Sequence, residues 1–180
     1  MSPISHLLAG WCVGNLATLT PKQRLVCMAA SIAPDLDGIS MISGINSYLK
    51  YHHVLTHNLA FGVFASAMAC ALVKPSFRYF LILLTLFHVH LLMDLYGSGI
   101  GWGIAYFWPF SGAYLSSDHA WSFVGWQNYM AFGILAVWTI VIARKLRRTP
   151  LEWVAPRLNA EVLGIREKAA EPVPTENAGK

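Results

Sequence analysis

The chain has 180 residues, one domain by length, of which 56% are hydrophobic and only 12% charged, with seven Trp. That balance excludes an ordinary soluble domain and points to a membrane class. The net charge of +4 does not mark a nucleic-acid partner. Lys22, Arg24, Lys74, Arg78, Arg144, Lys145, Arg147 and Arg148 sit at the ends of apolar segments, which is the pattern of topology signals and not of a groove-tracking patch. Cys12, Cys27 and Cys70 are scattered through apolar runs and read as small core residues, with no disulfide or cysteine zinc site implied. No basic segment precedes the first apolar run, so a cleaved signal peptide is not expected.

In chain order, residues 5–19 predict a helix opened by His6, with Ala9, Gly10, Gly14 and Ala17 permitting close packing. Thr20-Pro21 breaks it, and Pro21 suits the first turn of a new helix over residues 25–33, which Pro34 ends. Both runs fall short of the about 20 residues a bilayer needs, so residues 5–33 read as a hairpin that crosses twice or re-enters. Residues 34–57 form the most polar internal stretch, broken by Gly38 and Gly44. A third apolar helix covers 58–73, with Thr56 as its cap, and a fourth covers 77–96 and is long enough to span. Residues 97–127 carry Gly and aromatics without Lys or Arg and suit a membrane interface. The last apolar helix covers 128–143. From residue 149 a polar tail follows, helical around 158–170 and then disordered. The expected fold is an all-α polytopic membrane protein of four to five helices. Residues 1–148 form the embedded domain and 149–180 the cytoplasmic tail.

Basic residues cluster in 20–24, 74–78 and 144–148, so the positive-inside rule alternates without conflict and puts the tail in the cytoplasm. His6, Asp35, Asp37, His52, His53, His57, His90, Asp94, Asp118 and His119 then all fall on the outer side, and every Glu falls in the tail. His90 and Asp94 are one helical turn apart on one face and form half of a metal site, while His88 points elsewhere. Taken alone, the pair reads equally as a hydrogen-bonded packing contact. Taken together, carboxylates and imidazoles without basic partners need a compensating cation, and a divalent metal supplies it.

The ordered motifs Ser5-His6-Leu7-Leu8, Pro34-Asp35-Leu36-Asp37, His52-His53-Val54-Leu55-Thr56-His57, His90-Leu91-Leu92-Met93-Asp94 and Trp108-Pro109-Phe110-Ser111 resemble the YdjM-like family of inner-membrane proteins, regarded as metal-dependent hydrolases. The resemblance covers roughly residues 5–111. The family's His-Arg-Gly-x-Thr-His-Ser pattern departs here at His53, Val54 and Asn58. It keeps His52 and His57 and makes His53 a substitute ligand, since His53 and His57 would share a helical face. The ligand order is also distantly similar to zinc-dependent phospholipases C. This resemblance implies Asp35 or Asp37, His57, His90 and Asp94 around one ion. His6 and His52 would serve a second ion or an outer shell, with Asp94 as a bridge. Zinc is the first expectation, with manganese or iron as alternatives.

One carboxylate of the Asp35/Asp37 pair would act catalytically, orienting water or taking its proton. Trp108 and Phe110 are expected to line the substrate mouth, and Asp118 and His119 to lie in a solvated loop. The function expected is a metal-dependent hydrolase of phosphoester or lipid-linked substrates at the outer side of the inner (plasma) membrane, with membrane lipids or small molecules as partners. The alternatives are a metal or proton transporter and a metal-binding protein without turnover.

Overall fold

The structure, a computed structural model, describes residues 1–165. Among these it is all-α: seven α-helices, one long 3₁₀ segment and no strand beyond a single bridge. The disordered end expected after residue 170 lies outside the described residues.

Helix α1 (Pro3–Gly14) starts on Ser2, whose hydroxyl accepts from Ser5 N–H. It stops at Gly14, short of the expected residue 19, because the Asn15 side chain donates to Trp11 O (2.8 Å) and draws the chain into a turn. Helix α2 (Pro21–Ile32) begins in a reciprocal capping box of Thr20 and Gln23. Pro34 has no N–H for the α ladder, but the chain does not unravel into a connecting stretch as the sequence suggested. It tightens into a 3₁₀ segment over Ala33–Ser43. Pro21–Ser43 is thereby one apolar run of 23 residues, long enough to cross a membrane. In a 3₁₀ helix, residues three apart eclipse. Pro34 and Asp37 are accordingly buried together, while Leu36, Ile39 and Ile42 form a bare apolar stripe, 60%, 70% and 85% exposed.

A short α3 (Ile45–Tyr51) and turns over 52–58 follow. Helix α4 (Leu59–Val73) is capped by Asn58, which accepts from Phe61 N–H at 2.9 Å. The expected cap, Thr56, is engaged elsewhere. Helix α5 (Phe77–Gly97) and helix α6 (Trp126–Leu146) are the other two helices long and apolar enough to span. Between them, residues 98–125 are irregular apart from an Ile104–Leu115 bridge. Helix α7 (Pro156–Val162) lies in the tail.

Helix α2 is central: α1, α4 and α5 pack on it, α4 also packs on α5, and α6 packs on α1. Asn128 at the start of α6 donates to Gly97 O (2.8 Å) and so ties α6 to the end of α5. At the opposite end, Arg24 forms a paired contact with Glu152 (2.5 and 2.8 Å), fastening residues after α6 to the start of α2. The α1–α2 contact is tight at Gly10, where a Cβ would lie 2.7 Å from Ser31 Cβ and 2.8 Å from Cys27 O. Gly10→Ala is expected to destabilise by about 1–3 kcal/mol through overpacking. Gly133→Ala on α6, with nothing within 4 Å, serves as the control. Denaturant unfolding in detergent measures both, and equal stabilities would contradict the close approach.

Candidate metal centre

Four segments converge: the start of α1, the 3₁₀ segment, the turns before α4 and the last turns of α5. His6 lies one turn into α1, and its carbonyl accepts from Ser31 Oγ (2.7 Å), which locks α1 to α2 at this level. His90 and Asp94, four apart on α5, face inward, with His90 Nε2 2.9 Å from Asp94 Oδ2. Both are buried, as are His6, His53 and His57.

The turns at 52–58 are not helical, so His53 and His57 do not share a helical face as the sequence suggested. A left-handed backbone at His53 (φ 67°) folds the segment back. It brings the rings of His52, His53 and His57 within 4.5–5.1 Å of one another. Ala105 N–H donates to His53 O (3.0 Å) and Leu59 N–H to Tyr106 O (2.9 Å), which pins these turns against the loop after α5.

The nitrogens are directed by their back-side partners. His90 Nδ1–H donates to Ser31 O (2.8 Å), leaving Nε2 as the atom that faces the centre. His57 Nδ1 pairs with Asp37 Oδ2 (3.0 Å) and His52 Nδ1 with Asp37 Oδ1 (2.7 Å). Thr56 completes that support: its hydroxyl accepts from Asp37 N–H (3.0 Å) and its own N–H approaches Asp37 Oδ2 (3.4 Å). Asp37 thus stands behind two imidazoles with both oxygens engaged. Asp35 is in front, with Oδ1 3.6 Å from His90 Nε2 and 4.0 Å from His57 Nε2, and with Oδ2 buried and without a partner.

These atoms fit a cation. His57 Nε2 and His90 Nε2 are 3.2 Å apart, and Asp94 Oδ2 lies 3.5 and 2.9 Å from them. A tetrahedral ion with bonds of about 2.0–2.1 Å requires donors about 3.3 Å apart. With each Nδ1–H directed at its back-side acceptor, the two Nε2 atoms would oppose lone pair to lone pair unless a proton or a metal lies between. Burial opposes charge on His57, but the Asp37 and Asp94 carboxylates outweigh it and hold the imidazole up to about 9. His53 goes the other way, pushed down to about 3 by burial and by His57.

His6 Nε2 lies 3.2 Å from Asp94 Oδ1 but off the hydrogen-bonding direction, and neither His6 ring nitrogen has a hydrogen-bond partner. Its ring stacks on His90 at 3.8 Å. The Met1 backbone nitrogen also contacts Asp94 Oδ1. The donor set suits a divalent metal of the borderline kind that takes nitrogen and oxygen together.

A cavity of about 380 Å³ opens onto the cluster, lined by Asp35, Asp94, His52 and His53 and walled by Tyr48 and Trp102. Tyr48 stacks on His52 (4.5 Å), and burial together with Asp35, Asp37 and Asp94 pushes its hydroxyl above the ordinary range, so it stays protonated. Sequence reasoning missed Tyr48 and Trp102. Only the spacing Tyr48-x-x-x-His52, one turn of helix, pointed to the first. Trp108 and Phe110 do not line this cavity. The Ile104–Leu115 bridge turns residues 105–114 into an excursion, on which Phe110 is 87% exposed. Asp118 and His119 are exposed in the same irregular region. His88 leaves the cluster, donating from Nδ1 to Leu84 O (2.8 Å) and meeting Tyr106 Oη with Nε2 (2.9 Å).

The family model described as YdjM inner membrane protein matches residues 1–163. No curated protein and no solved structure gives a significant match.

Proposed function

The chain belongs to the YdjM inner membrane protein family, and from that premise we propose that it is a metal-dependent hydrolase of phosphoester or lipid-linked substrates. The observation that carries this reading is the set of His57 Nε2, His90 Nε2, Asp94 Oδ2 and Asp35 Oδ1, mutually close and with both imidazoles anchored from behind. His57, His90 and Asp94 would hold the ion, with zinc the first expectation. Bound there, a divalent metal supplies Lewis-acid polarisation and brings the pKa of a water to about 7. Asp35 is farther from the imidazoles and lines the cavity, so its unpartnered Oδ2 would serve as the general base there. Asp37 keeps His52 and His57 in one tautomer. Tyr48 and His53, both at the cavity wall, offer a hydroxyl donor and a neutral imidazole to an anionic substrate.

The stripe Leu36, Ile39 and Ile42 favours an amphiphilic substrate, because the segment carrying Asp35 would present that face to acyl chains. The positive-inside rule puts the basic helix ends in the cytoplasm and the centre at the outer leaflet. A transport relay would continue through the membrane in polar residues. Next along α5 come Phe87, Leu86 and Leu83 instead, all buried and apolar.

The test is phosphate release from phospholipids and lipid-linked phosphates by spheroplasts and by the purified chain, with zinc or manganese added. Activity that a membrane-impermeant chelator abolishes in spheroplasts, and that Asp35→Asn lowers by about 10²-fold or more, is expected. Metal-replete protein inactive on the whole panel would sink the hydrolase reading, and activity indifferent to the impermeant chelator would sink the outward orientation.

A further inference from the structure

At the end of α5 away from the metal centre, the fold leaves a second, unrelated depression. Arg78 is about 24 Å from Asp94 along the helix. An apolar groove of about 410 Å³ runs between the C-terminal part of α1 and one face of α5, walled by Val13, Leu16, Leu81, Ile82 and Thr85. Arg78, Leu81, Ile82 and Thr85 recur at helical spacing, so the groove follows α5 lengthwise. At its basic end it joins a smaller polar pocket of about 80 Å³, and Ala17, Arg78 and Ile82 line both. That pocket brings Lys74 and Ser76 beside Arg78.

Among the described residues, no carboxylate lies within ion-pair distance of Lys74 or Arg78; Glu152, an acidic residue at this end, is taken by Arg24. Helix α5 begins without a side-chain cap and has no acidic residue in its first turn. The positive end of a 21-residue helix and two cations therefore face one small pocket with no anion among the described residues. The apolar groove is much the larger of the two volumes, so an inorganic anion would leave most of it unused. A ligand with an anionic head and an aliphatic tail satisfies both parts, and its orientation follows from the helix, with the head at Lys74 and Arg78 and the tail along α5 toward Thr85.

We infer that this is a binding site for one anionic phospholipid, independent of the metal centre. Basic pockets between spanning helices recognise lipid headgroups by this combination of cations and apolar wall.

The experiment is native mass spectrometry of the full chain in detergent, titrated with phosphatidylglycerol or with phosphatidylcholine of the same acyl chains. One phosphatidylglycerol is expected to bind in preference to phosphatidylcholine. Lys74→Gln/Arg78→Gln is expected to weaken it about 30-fold, the size appropriate to two cations at an anionic headgroup. Arg144→Gln/Lys145→Gln removes the same charge outside the groove and is expected to leave binding unchanged. Ala17→Phe fills the junction of groove and pocket without touching charge and is expected to lower binding of both lipids. Absence of a phosphatidylglycerol preference in the wild type, or equal weakening by the two double variants, would overturn the site in favour of diffuse surface charge. Far-ultraviolet circular dichroism checks that the variants keep wild-type helicity, and should the double variant lose it, unchanged lipid binding by Ala17→Phe alone decides against the groove.

Discussion

Asp94→Asn leaves the protein essentially without bound metal, whereas the wild type purified without a polyhistidine tag carries about one ion per chain, the number one donor cluster can hold. The expectation rests on how many groups meet this one carboxylate. Asp94 Oδ2 lies 2.9 Å from His90 Nε2, 3.5 Å from His57 Nε2 and 3.7 Å from His53 Nε2, and Oδ1 lies 3.2 Å from His6 Nε2. Asparagine keeps the shape but removes the anion that offsets the ion's charge. Elemental analysis measures the content, and thermal unfolding gives an independent reading. At a free metal concentration 100 times Kd, binding adds about 2.7 kcal/mol of stability. The wild type should show that gain and Asp94→Asn should not. Asp118→Asn, an exposed position, should behave as wild type. Full metal content in Asp94→Asn would put the ion elsewhere, and no metal in either protein would leave the cluster a hydrogen-bonded packing contact.

Asp37→Asn should behave differently in kind. Metal still binds at saturation, but affinity falls about 10–100-fold, the usual cost of losing a group that orients a ligand from behind. Both oxygens of Asp37 are used on ring nitrogens, 2.7 Å to His52 Nδ1 and 3.0 Å to His57 Nδ1. An amide offers one acceptor and one donor in the same place. Whichever histidine meets the NH₂ group must present an acceptor at Nδ1 and carry its proton on Nε2. For His57 that removes the lone pair directed at the centre. Competition against a chelator of known affinity measures the shift. Should Asp37→Asn abolish binding as completely as Asp94→Asn, Asp37 is itself a ligand, the alternative that the Asp35-x-Asp37 spacing left open.

The membrane character and the α5 half of the centre were legible because both depend on local periodicity. An apolar run of spanning length needs no tertiary information, and His90-x-x-x-Asp94 must share a face on any helix. Pro21 at the first turn of α2 was legible for the same reason. What escaped was set by contacts distant in sequence. The division of labour between Asp35 and Asp37 depends on which one the turn at Thr56 grips. The left-handed residue at His53, which brings three imidazoles together, contradicts the helix that its spacing to His57 suggested. The aromatic wall at Trp102 instead of Trp108 follows from the bridge at Ile104 and Leu115. The length of the span was misread: α2 does end before Pro34, as expected, but the apolar run continues in 3₁₀ pitch to Ser43.

That change of pitch gears the centre to the span that carries it. A 3₁₀ residue advances about 2.0 Å and turns 120°, against about 1.5 Å and 100° in an α-helix. Were the 11 residues of Ala33–Ser43 to relax to α, the segment would shorten by about 5 Å. Asp37, three residues past Pro34, would swing by about 60° and carry its carboxylate off the Nδ1 atoms of His52 and His57. Axial stretch favours the longer form, and compression favours the shorter one. The segment long and apolar enough to cross a membrane thus also carries this carboxylate, and a change in its length would reach the histidines as a rotation.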